Sequence, residues 1–331
     1  MKVRGAPVLL LVCLLFSAPQ GAEAQRLSYS KGQPVYPAYE GWERNSDGSV
    51  DMLFGYMNEN WEQELEIPIG SDNSFSPGPP DQGQPTHFLP RRNRYVFKVR
   101  VPAGFGEDDE MVWTLLANGQ EYRAYGTLRE DLYTDNIVIM SETGALGAGT
   151  SSPEIRANVP PVIELEGGVE RSARVGEALT LAAMVTDDGQ PSSIGIFGGG
   201  TNSEEDAEEE DAEEDNERTP RELLERALGR GTASGTVSKR LGLHYTWFVY
   251  RGPGEAVEFD PPQIKTWEDT RPFANSPWTV AWVLPEAPED GRWVSEVTFS
   301  EPGTYVLRGR ADDGGLYADV EVTVRVQSTV F

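Results

Sequence analysis

From Val297 to Val326 the chain reads VTFSEPGTYVLRGRADDGGLYADVEVTVRV, and this stretch limits the fold more than any other. Tyr305, Leu307 and Gly309 alternate with Val306, Arg308 and Arg310. Asp312-Asp313-Gly314-Gly315 then breaks the run, and Val320, Val322, Val324 and Val326 fall on one face. Side chains of a strand alternate between the two faces of its sheet, so a period of two bounded by turn residues predicts a half-buried antiparallel hairpin. A closing hairpin of this kind predicts a β-sandwich.

The front of the chain carries an export pattern. Lys2 and Arg4 precede an apolar run from Val8 to Phe16, and Ala22-Glu23-Ala24 places small residues around a cleavage point. The expectation is a signal peptide over residues 1–24, cut after Ala24. The run falls short of the ~20 apolar residues of a spanning helix, so no transmembrane segment is expected. The one cysteine, Cys13, leaves with that peptide, so burial alone must hold the mature fold.

The formal charge is −26, and eleven of the 54 acidic residues lie between Glu204 and Glu217. Nucleic acid is excluded as an expected partner, because its binding relies on Lys and Arg neutralising phosphates.

Residues 25–131 are expected to form an N-terminal β-sandwich domain. Val50–Tyr56, Glu64–Ile69 and Tyr95–Val101 read as strands, and Asn45-Ser46-Asp47-Gly48 reads as a turn. Asn118-Gly119 joins two more strands, which is a strong short hairpin signal. No segment shows a helical period. Phe54 to Val99 resembles a β-sandwich accessory module of large exported bacterial proteins. The match falls on Phe54-Gly55-Tyr56, Asn58, Asn73, Phe75, Asp81, Gly83-Gln84-Pro85-Thr86 and Pro90, and continues at Trp113-Thr114-Leu115 and Asn118-Gly119. The family prefers Gly where this chain has Arg91, so the turn there is expected to differ. The resemblance implies an accessory role and no enzymatic activity.

Residues 132–159 read as a Gly/Ser-rich linker holding a short apolar piece, Ile137–Met140. Residues 160–327 form the second expected domain. Its Pro160-Pro161 opening, the alternation of Leu179–Val185, Trp247 on a third strand and the closing hairpin resemble a PKD-like immunoglobulin-type domain. Two insertions interrupt it. Residues 190–241 hold the acidic run, expected to be largely disordered, with a short helix started by Thr219-Pro220-Arg221-Glu222. Residues 263–292 form a loop rich in Trp and Pro. The expected fold is all-β, with two tandem immunoglobulin-like β-sandwich domains.

Catalytic signatures are scarce. There are two histidines, His87 and His244, read as a structural residue and a half-exposed strand residue. No His-Glu-x-x-His or Gly-x-Ser-x-Gly motif occurs. Paired carboxylates suit glycoside hydrolysis, but 54 acids make pairs inevitable.

Two constellations remain. Asp187-Asp188-Gly189 and Asp312-Asp313-Gly314 both end strands of the second domain and so can share one pole. Calcium wants six to eight such oxygens, while tight turns want the same residues, and both readings stay open. Calcium is the one cofactor considered. Trp267, Trp278, Trp282 and Trp293 can stack on a sugar or grip a protein, or they can pack back onto the sandwich. The expectation is an exported, non-enzymatic structural or binding protein of the periplasm or cell surface, with a protein or glycan partner at the envelope. The alternative is a carbohydrate-binding module using the Trp-rich loop. A hydrolase with a carboxylate pair stands behind both.

Overall fold

The computed structural model describes residues 30–143, 153–191, 239, 241–266, 268–270, 274–275 and 282–328. The signal sequence, the acidic run with its expected helix, Trp267 and Trp278 lie outside the described residues.

The first domain contains β1 (Val35–Arg44), β2 (Val50–Asn58), β3 (Leu65–Glu66), β4 (Asn73–Ser76), β5 (His87–Phe88), β6 (Arg91–Arg100), β7 (Met111–Ala117) and β8 (Gln120–Gly126). One sheet runs β1-β2-β6, a second β4-β7-β8, and β3 pairs with β5. The expected hairpin is β7–β8, with Ala117 opposite Gln120. Asn118 and Gly119 have φ of 50° and 76°, the mirror-image turn whose twist suits flanking strands.

Aromatic rings fill this domain. Phe54 stacks on Phe97 with centroids 5.7 Å apart and meets Phe75 edge-on at 5.1 Å. Phe75 lies parallel to Trp113, and the Trp113 Nε1–H donates to Asn73 Oδ1 at 3.0 Å. Asn73 Nδ2 in turn donates to the carbonyls of Ile67 and Pro85. A buried indole N–H with a partner avoids the desolvation cost that an orphan would carry. Arg91 takes φ of 69°, the left-handed region that Gly adopts most readily, so the backbone turns as it would with Gly. Its guanidinium donates to the Glu59 carbonyl, which gives the side chain a partner for that conformation.

The chain then passes through a 3₁₀ turn at Glu130–Leu132 into helices α1 (Asn136–Thr143) and α2 (Pro153–Ala157). The helix α1 corrects the linker reading. Asp135 caps it, accepting from the Val138 N–H at 3.0 Å. Ile139 and Met140 are buried with Leu53 and Tyr95 of the first domain and Leu316 of the second. Eight residues show too little of a 3.6 period to be read as a helix from sequence.

The second domain comprises β9 (Val162–Leu165), β10 (Glu170–Arg174), β11 (Leu179–Thr186), β12 (His244–Arg251), β13 (Val257–Asp260), β14 (Arg292–Phe299), β15 (Gly303–Asp312) and β16 (Tyr317–Gln327). One sheet runs β9-β11-β14-β13 and the other β10-β16-β15-β12. All pairs are antiparallel except β10 with β16. This strand order is that of an immunoglobulin-like sandwich. Trp247 lies in its core with Leu181, Leu307 and Val322. Val297–Phe299, read with the closing hairpin, belongs to β14.

The closing hairpin is present as β15–β16, yet β15 is buried on both faces rather than half-buried. Arg308 and Arg310 are only 5% and 8% exposed. The first domain covers them, so the two sandwiches lie face against face. Tyr250 of β12 joins the core of the first domain, with Phe248 and Val306 packed against it.

Candidate functional site

The interface between the sandwiches uses the segment that carries the accessory-module resemblance. Asp81 takes two bonds from the Arg251 guanidinium, at 3.0 and 2.7 Å. The Gln84 carbonyl accepts from Arg251 Nε, and the Gly83 carbonyl accepts from the Tyr250 hydroxyl. Thr86 exchanges backbone and side-chain bonds with Tyr250 and Gly252. On the other side, the Arg308 guanidinium sits 3.5 Å from the centre of the Tyr250 ring. It donates to the Val96 carbonyl and pairs with Glu321, while Tyr317 donates to the Tyr95 carbonyl.

His87 sits beside this seam and is buried. Its Nε2 lies 2.9 Å from Glu64, and its Nδ1 contacts Glu66. The same Glu66 accepts from the backbone N–H of Gly254 in the second domain. Burial alone pulls the imidazole down, but the two carboxylates outweigh it and raise the pKa to about 9. The folded value exceeds the ordinary 6.5, so the stabilisation is complete below about pH 6.5 and is lost as pH rises through about 9. Between pH 7 and pH 10 the wild type should lose on the order of 2 kcal/mol more stability than His87→Gln. Urea unfolding at the two pH values checks this, and equal losses would remove His87 from the account.

His244 corrects the half-exposed reading. It is buried at the start of β12, and burial lowers its pKa. The Trp282 ring meets it edge-on at 5.2 Å. Trp282 is half-buried, as is Trp293, which packs against the sandwich core beside Tyr245 at 6.3 Å. The indole nitrogens of both are buried without a hydrogen-bond partner. The two described tryptophans of the aromatic loop region therefore face inward.

Glu40 and Glu268 are carboxylates whose pKa values burial raises, the combination a general acid needs. Glu40 pairs with Arg92 at 2.5 Å and Glu268 with Arg94 at 2.7 Å. The space bordered by Arg94 and Glu268 is about 20 Å³, the size of a water and too small for a sugar ring. A cleft of about 580 Å³ opens between the domains, lined by Tyr95, Phe97 and Ile139, and its Lys98 and Arg308 are engaged with Glu43 and Glu321.

The four aspartates divide into two environments. Asp312 pairs with Lys239; burial alone would raise its pKa, and Lys239 and His244 outweigh that and hold it down. Asp188 is exposed and accepts from the Gln190 N–H. Asp187 and Asp313 meet at one pole, around a cavity of about 280 Å³ also lined by Gln190, Pro191 and Gly242. Burial raises Asp187, and it pushes Asp313 up to about 7 against the N–H groups of Leu316 and Gly315. Among the described residues no group of three or more His, Cys, Asp or Glu is placed to hold a metal. Two amide side chains at this pole, Asn158 and Gln190, escaped the sequence reading. The signal for the first was its position just before Pro160-Pro161, where the chain enters the sandwich.

No family model and no curated protein matches the chain. Among solved structures it is similar to domains 1–6 of the surface layer protein SbsC, at 9% identity and TM-score 0.23, covering 90% of this chain and 28% of that one. It is also similar to titin Z1Z2 in complex with telethonin, at 8% identity and TM-score 0.22, covering 89% and 98%. Fibronectin(III)-like modules of Clostridium thermocellum CbhA match at 8% identity and TM-score 0.20, covering 89% and 95%. The immunoglobulin-like assignment stands on the strand order itself.

Proposed function

We propose that the chain is an exported, non-enzymatic structural or binding protein of the periplasm or cell surface. Its two sandwiches act as one body that meets a protein of the envelope. The observation that supports this is the seam itself. The groups with the chemistry for catalysis, namely His87, Arg251, Arg308 and the buried glutamates, are engaged in holding strands and domains together. Among the described residues no helix is long and apolar enough to cross a membrane.

The experiment is capture from the native envelope on the immobilised chain, run beside a glycan array and a screen with ester, peptide and glycoside substrates. The expected result is a saturable envelope protein ligand, an empty array and no turnover. A glycan signal that Trp282→Ala abolishes without loss of fold would replace this with the carbohydrate-binding reading. Turnover that survives purification to homogeneity would overturn it.

A further inference from the structure

We infer that the pole of the second sandwich is a calcium site built from Asp187, Asp313, Asn158 and Gln190. The inference does not depend on the non-enzymatic reading. Three separate segments supply these side chains: the loop after β11, the β15–β16 turn and the stretch before β9. Asp187, Gln190 and Asp313 line the cavity directly. Asn158 lies behind Asp313 rather than in the lining: its Nδ2 donates to Asp313 Oδ2 at 3.2 Å, and a half-turn of the amide would bring its unpartnered Oδ1 to that face. A Cβ placed on Gly315 would lie 3.0 Å from that amide nitrogen, 3.2 Å from Asp313 Oδ1 and 3.3 Å from Pro191 Cδ, so the three segments pack together at this turn.

The decisive observation is a set of oxygens without donors. Asn158 is 4% exposed, yet its Oδ1 accepts nothing. Asp187 Oδ1 and Gln190 Oε1 are likewise buried without a partner. Among the described residues no Lys or Arg lines the cavity. Buried acceptors are nearly always satisfied, and each one left unmatched is costly. A single cation satisfies several at once.

The donor set selects the ion. Asp187, Gln190 and Asp313 offer oxygen to the cavity, and among the described residues no His or Cys lines it, which disfavours zinc and the softer transition metals. Calcium accepts carboxylate, amide and backbone oxygens in flexible geometry, whereas magnesium demands a tight octahedron and keeps its waters. Asp312 and Asp188 stay outside this set. Asp312 is held by Lys239, and the exposed Asp188 closes its own turn.

The test is calorimetric titration of the chelator-treated chain with calcium, in about 0.15 M KCl so that diffuse attraction to its acidic surface is screened. One saturable ion per chain is expected, with a rise of several degrees in the thermal midpoint and a smaller rise with magnesium. Asp187→Asn retains an acceptor for the Gly189 N–H and should weaken calcium binding at least about tenfold. Gln190→Ala, in the loop and away from the core, should weaken it as well, and keeps the test open if the first variant misfolds. Weak, unsaturated uptake that neither substitution changes would overturn the site and leave water as the partner of these oxygens. A midpoint that calcium does not move would do the same.

Discussion

Trp247→Ala should destabilise the second domain by about 3–5 kcal/mol, the usual cost of emptying a buried tryptophan position. The side chain is 1% exposed, and its ring meets Tyr245 edge-on at 5.5 Å. Across the sheet it faces Gly309 of β15. A Cβ at Gly309 would collide with the Tyr245 hydroxyl and come within 3.1 Å of the Trp247 ring, so the two rings share the space that glycine leaves. The indole nitrogen has no partner, so the loss comes from apolar contact and cavity alone. Urea denaturation should show a midpoint shift far larger than that of Trp282→Ala, whose ring is only half-buried. Equal shifts would mean that the aromatic loop is as much a part of the core as β12.

The second large effect belongs to Arg308→Ala, expected at about 3 kcal/mol, the lower end for breaking a buried ion pair. The guanidinium bridges Tyr250, the Val96 carbonyl and Glu321. Its removal strands a buried carbonyl, while Glu321, whose side chain is 46% exposed, can rehydrate. The more telling consequence is in cooperativity. The wild type should melt in one calorimetric transition, because the sandwiches share Tyr250 and the face of β15. Arg308→Ala should melt in two, with the calorimetric enthalpy exceeding the van't Hoff value. A variant that still melts in one two-state step would show that the loop from Asp81 to Thr86 suffices to couple the domains.

What the sequence disclosed follows from which contacts are local. The Asn118-Gly119 turn needs only its own backbone, and the valines of β16 declare their face by alternation. Trp247 was legible as core because Tyr245 and Val249 share its face. Arg308 and Arg310 were not legible as buried. Alternation assigns them to the face opposite the core, and nothing nearby in the chain says that another domain covers that face. His244 was misread for a related reason, since Trp282 and the Asp312–Lys239 pair come to it from distant segments. The two Asp-Asp-Gly turns come together at one pole, but the sequence could not separate Asp313 from its neighbour Asp312. Adjacent residues of a turn aim in different directions, and only the fold decides which one meets Asp187.

The parallel strand pair of the second sandwich, Glu170–Arg174 beside Thr323–Gln327, has a mechanical meaning. These strands lie near the two ends of the second sandwich. Tension applied across that domain drags them in opposite directions along their length. The ladder between them is then loaded in shear, so its bonds must yield together rather than open one at a time like a zipper. In a body pulled between two anchoring points, this short ladder is where the resistance would be concentrated.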